Sequence, residues 1–114
     1  VCHSISYPLT LMYNIPHGIA TSITLSRFLR INEKYIVNKE LLLKAFGVKK
    51  VIEVEDIINN IYIKANIPYK LREYGIKRED IESIVNNSFT PGRVDNNPVK
   101  ITKDVLRNVL EEIY

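Results

Sequence analysis

The first 26 residues carry no charge at all; every one of the 13 acidic side chains lies at or beyond Glu33, and only Arg27 and Arg30 are charged before that point. A stretch of this kind must be buried or covered, because apolar surface left in water is costly. It does not fit a secretory leader, which needs a positive start and a small-residue cleavage site. Nor does it fit a membrane span of about 20 apolar residues, since Pro8, Asn14, Pro16 and His17 interrupt it. No membrane partner is expected. A 114-residue domain buries roughly two-thirds of the surface that its unfolded chain exposes and seldom needs 26 uncharged residues in succession. The chain therefore reads as a piece of a larger molecule, one domain over residues 1–114. Cys2 is the single cysteine, which excludes an intrachain disulfide and agrees with a reducing, cytoplasmic setting.

Composition removes further classes. With 46% hydrophobic and 25% charged residues the chain is neither disordered nor fibrous. The net charge of +3 could suggest nucleic acid, but the 16 basic residues are interleaved with acids, as in KREDIE, and cluster no further than the pairs Lys49-Lys50 and Lys77-Arg78. A nucleic-acid interface needs a stripe or a known module, and neither is present.

Helical periodicity dominates what remains, and the expected fold is an all-α helical bundle. In TKDVLRNVLEEIY, residues Val105, Leu106, Val109, Leu110 and Ile113 share a face behind an N-cap at Thr102, with Asp104 in the first turn. Ile81, Ile84 and Val85 repeat the pattern in KREDIESIVNN, and Ile57, Ile58, Ile61 and Ala65 in VEDIINNIYIKAN. A helix from an Asn38 cap stops at Gly47, and Pro68 opens a helical turn ending at Gly75. TPGRVDNNPV, residues 90–99, reads as a loop. Only KYIVN and KKVIEVE are candidate strands.

The charge-free segment divides into one buried helix, VCHSISYPLTLMY, with Pro8 inside it, and a second helix, PHGIATSITLSRFLRIN, opened by Pro16 at the favoured first position. Tyr13-Asn14-Ile15 makes the turn between them. His3 and Tyr7 are four residues apart, hence on one helix face, while His17 lies in the first turn of the next helix. Both histidines are candidates for structural, hydrogen-bonded imidazoles; equally, a tight turn can bring them together. Two imidazoles alone do not make a catalytic metal site, which takes three or more protein ligands, commonly with a carboxylate.

HSISYPLTLMYNIPHG resembles the signature of the iron-containing (group III) alcohol dehydrogenases, and the resemblance continues through GIATSITLSRFLRIN to IPYKLREYGIKREDIESIV and NNPVKITKDVLRNVL. It implies that His3 and His17 are the last two of four metal ligands for Fe2+ or Zn2+, the first two, an Asp and a His, lying upstream. It also implies the C-terminal portion of a dehydroquinate-synthase-like helical domain, with NAD(P) carried mainly by an N-terminal dinucleotide domain absent from this chain. Hydride exchange between a nicotinamide and a small alcohol or aldehyde substrate is the implied activity of the intact enzyme. Tyr7 stands where the family usually has a further His that faces cofactor and substrate, and is the candidate catalytic hydroxyl. HSISYP with NNPV resembles the branch that includes phosphonoacetaldehyde reductases. Arg27 and Arg30 are candidates for an anionic substrate but read as solvated helix-end charges. No Gly-rich phosphate loop occurs among the four glycines, so the isolated chain is expected to be inactive. The rival reading is a non-catalytic helical interaction module; a homo-oligomer formed through the apolar face of the first two helices is expected under either.

Overall fold

The structure, a computed structural model, describes residues 1–89 and 92–114. Thr90 and Pro91, the start of the expected 90–99 loop, lie outside the described residues. Seven α-helices are described: α1 Cys2–Tyr13, α2 His17–Ser22, α3 Leu25–Asn32, α4 Lys39–Phe46, α5 Glu53–Lys64, α6 Ile81–Ser88 and α7 Lys103–Glu112. Short 3-10 turns occupy Glu33–Tyr35, Leu71–Tyr74 and Arg78–Asp80. No strand occurs among the described residues, as the helical periodicity implies.

The slab-shaped molecule, 37 × 33 × 20 Å, is about two helix diameters thick. Its core joins Ile5 and Leu9 of α1 and Phe28 of α3 to Ile84 and Val85 of α6 and Leu106, Val109 and Leu110 of α7. The α7 N-cap is as expected: the Thr102 side chain accepts from the Val105 N–H at 3.3 Å. Glycine at position 47 adopts φ +69° and closes α4 through bonds to Leu43 and Lys44. Asn38 does precede α4, but in a left-handed conformation and with no side-chain capping bond. No residue of α4 is buried, so this helix lies at the rim.

Four expectations need correction. α1 is not buried all round: Ile5, Ser6 and Leu9 face the core, whereas Leu11 is 80% exposed. The second helix breaks into α2 and α3 at Ile23-Thr24. Thr21 and Ser22 turn their hydroxyls back onto the carbonyls of His17 and Gly18, at 3.0 and 2.7 Å, a habit that bends helices. The buried side of α5 runs through Val54 and Tyr62, while Ile61 is 61% exposed and Ala65 is exposed too. Tyr62 wins because its hydroxyl finds Ser22 at 2.6 Å, so an amphipathic ring fills the seam that an isoleucine was expected to fill. Finally, neither strand candidate forms. The Glu53 carboxylate accepts from the Lys49 and Lys50 N–H groups at 3.0 and 2.7 Å, which turns KKVIEVE into a helix start.

Candidate metal and substrate site

The site grows from the α1–α2 corner. α1 ends at Asn14 in the left-handed conformation, φ 54°. Its N–H reaches the Thr10 carbonyl at 3.1 Å, and the Ile15 N–H reaches the Leu9 carbonyl at 3.3 Å, so carbonyls of the last turn are satisfied by the left-handed corner. The chain reverses over three residues, and Ile15, wholly buried, pins the corner to the core. Pro16 precedes α2 as its N-cap, with ψ 134°, rather than occupying the first helical position expected of it, and its carbonyl accepts from Ile19 and Ala20, both at 2.9 Å. Pro8 lies within α1 and removes the bond that the Ser4 carbonyl would otherwise accept; separately, the Ser6 hydroxyl donates to the His3 carbonyl at 2.8 Å.

This reversal brings together the three residues singled out in the sequence. The His3 and His17 ring centroids are 5.7 Å apart with planes inclined at 56°. The Tyr7 ring is 6.1 Å from His17. A metal–nitrogen bond of about 2.1 Å plus the ring radius places two imidazole centroids about 5 Å apart around one tetrahedral ion. The observed pair is within a small side-chain adjustment of that distance. The donor set is nevertheless incomplete: among the described residues no group of three His, Cys, Asp or Glu side chains could hold an ion. The pair therefore fits two neighbouring positions of a coordination sphere and cannot supply the rest.

His3, Ser4 and Tyr7 line an open cavity of about 460 Å³, whose opposite wall is Gly92, Arg93 and Asn96. The Arg93 guanidinium carbon lies 4.4 Å from the Tyr7 ring centroid, in cation–π geometry. Arg93 escaped the sequence reading because nothing local marks it: it is one basic residue in a loop, and only folding carries that loop to α1. A second, apolar pocket of about 240 Å³ between α2 and α5 is lined by Ile19, Leu25, Ile58 and Tyr62. It has no charged or metal-binding side chain.

The other two arginines considered are engaged elsewhere. Arg27 is buried, 8% exposed, and its guanidinium meets Glu55 at 2.7 Å and Glu112 at 3.8 Å. Arg30 pairs with Glu112 as well and approaches Glu55 at 3.8 Å. Both tie α3 to α5 and α7; Arg27 is buried rather than the solvated helix-end charge expected, whereas Arg30, in the last turn of α3, keeps a side chain 37% exposed.

Fold and site together define a helical scaffold that holds paired imidazoles beside a polar cavity. Residues 1–114 match the profile of the Fe-containing alcohol dehydrogenase family, C-terminal part, and the chain belongs to that family. It resembles the NADPH-dependent butanol dehydrogenase of Clostridium saccharobutylicum, 24% identical over all of this chain and 32% of that protein. The crystal structure of sulfoacetaldehyde reductase from Bifidobacterium kashiwanohense in complex with NAD+ superposes with a TM-score of 0.82 at 32% identity, over 98% of this chain and 30% of that one. A shorter match, 58% identical over 31 residues, relates 27% of this chain to 8% of the phosphonoacetaldehyde reductase of Streptomyces viridochromogenes. The chain thus spans about a third of the length of these first two relatives, and its fold is that of the family's C-terminal helical part.

Proposed function

We propose that this chain is the C-terminal helical, metal-binding part of an NAD(P)-linked alcohol dehydrogenase or aldehyde reductase, whose dinucleotide domain precedes it. The observation that carries this reading is the convergence of His3 and His17, 5.7 Å apart, with Tyr7 6.1 Å from His17 and lining an open cavity together with His3. His3 and His17 supply two imidazole ligands to Fe2+ or Zn2+, and upstream residues supply the others. When bound, the metal supplies Lewis-acid polarisation of a small alcohol or aldehyde oxygen, and the nicotinamide supplies or accepts the hydride. The role of this chain is to hold both imidazoles on a fixed corner. Tyr7 adds a hydroxyl that orients the substrate oxygen or moves its proton.

Several features support the finer parts of the proposal. Two of the relatives are named for aldehydes that carry a sulfonate or a phosphonate, which favours an acidic aldehyde over a plain primary alcohol. Leu11 and Met12 are exposed on α1, a surface suited to cover by further chain or by a second copy in a homo-oligomer. A single free cysteine suits the cytoplasm. No helix among the described residues is long and apolar enough to cross a membrane.

Metal analysis of the purified full-length protein tests the proposal. The wild type is expected to hold close to one equivalent of Fe or Zn, and His17→Ala to hold on the order of tenfold less or below, as loss of a direct ligand requires. Equal metal in both, or none in the wild type, sinks it and leaves the interaction-module reading. The 114-residue chain by itself is expected to show no nicotinamide-dependent turnover.

A further inference from the structure

We propose that Arg93 is the specificity-determining residue of this site, binding a phosphonate or sulfonate group of a short aldehyde whose carbonyl lies at the histidine pair. The inference rests on the function proposed above and adds to it the residue that reads the anion. Arg93 faces the Tyr7 ring at 4.4 Å, and His17 lies 6.1 Å from the same ring. One phenol ring thus separates a permanent cation from the imidazoles. A small molecule that carries both an anionic group and a carbonyl suits this arrangement.

The charge environment agrees. Among the described residues Arg27, Arg30, Arg78 and Arg107 are each held by a carboxylate, and Arg72, which is not, lines no part of this cavity. Among the described residues no carboxylate pairs with Arg93. The one acid nearby in the loop, Asp95, already accepts from the Gly92 N–H at 3.1 Å. Stacking on an aromatic face engages the plane of a guanidinium and leaves its N–H fork free for planar or tetrahedral anions.

A second and independent feature lies on the same wall. Ser4 lines the cavity, is 1% exposed, and its hydroxyl has no hydrogen-bond partner among the described residues. An unpaired buried hydroxyl is costly unless something accepts from it, and an anionic oxygen is a suitable acceptor. Asn96 completes the wall, with its amide donating to the Gly92 carbonyl at 3.0 Å.

The experiment compares the full-length enzyme with Arg93→Ala and Arg93→Lys. It measures kcat/KM for a two-carbon aldehyde bearing a phosphonate, for one bearing a sulfonate, and for propionaldehyde. The selectivity ratio of acidic over neutral aldehyde is expected to fall by about 10- to 100-fold in Arg93→Ala, the weight of one charge-assisted contact. Arg93→Lys is expected to fall between, since it keeps the charge but loses the fork. Calorimetric titration with ethylphosphonate and ethanesulfonate supplies a readout apart from turnover; binding to the wild type that weakens in Arg93→Ala supports the inference, and the tighter anion names the head group. Thermal melts of the variants, expected to match the wild type because Arg93 is exposed, separate misfolding from lost recognition. An unchanged selectivity ratio in an enzyme that reduces aldehydes overturns the role of Arg93 while the proposed function stands. A wild type that reduces none of the three removes both.

Discussion

Tyr7 stands between the two halves of the site, with Arg93 stacked on one part of its ring and His17 close by. Its ring and its hydroxyl therefore have separable duties. Removing only the hydroxyl leaves the stacking surface in place, so Tyr7→Phe in the full-length enzyme is expected to lower kcat on the order of 100-fold, the usual weight of a positioned proton-transfer group. Metal content should be unchanged. Steady-state kinetics beside metal analysis check this, and full turnover in the variant would reduce Tyr7 to a packing residue. The grouping of His3 with Tyr7 was legible in the chain because four residues along a helix return to the same face. Arg93 was not legible, since a lone base in a loop has no period to reveal which surface it will meet. Arg27 shows the opposite failure: its position near a helix end suggested solvent, yet Glu55 and Glu112 make its burial tolerable.

At the scale of elements, the α1–α2 corner decides whether the site exists. Asn14 holds a left-handed conformation there, φ 54°, which costs most residues about 1–2 kcal/mol and costs Asn and Gly less. Asn14→Ala is expected to destabilise the fold by about 1 kcal/mol and to loosen metal retention, whereas Asn14→Gly keeps both. Chemical denaturation together with metal content checks the pair; equal behaviour of the two variants would mean that the corner does not position the histidines. The corner was readable from Asn-Ile-Pro, where turn chemistry is local. The break between α2 and α3 was not, because Thr21 and Ser22 give a helix-compatible pattern and act through back-bonding to carbonyls. The phase of α5 was misread for another reason: isoleucines at 57, 58, 61 and 63 satisfy more than one helical face, and the partner Ser22 of Tyr62 selected among them.

Across the whole molecule, helices from distant parts of the chain are tied by the buried guanidinium of Arg27, which joins α3 to Glu55 of α5 and to Glu112 of α7. Removing the closer partner leaves a desolvated charge, so Glu55→Gln is expected to destabilise by roughly 2–3 kcal/mol. Glu112→Gln, at a more exposed carboxylate, should cost less than about 1 kcal/mol. Urea unfolding followed by far-UV circular dichroism measures both, and equal losses would show that Arg27 does not depend on Glu55. The amino-acid sequence by itself determined the helical class, the capped ends at Thr102 and Gly47, and the presence of His3, Tyr7 and His17 near one turn, because each follows from local geometry and from a period of 3.6 residues. Only the tertiary structure decided which face of α5 is buried, where Arg27 finds its counter-charges, and that a loop some ninety residues along the chain delivers a cation to the histidine cavity. Those outcomes depend on packing and on charges meeting across the fold, and pairings between residues far apart in a chain leave no periodic trace along it.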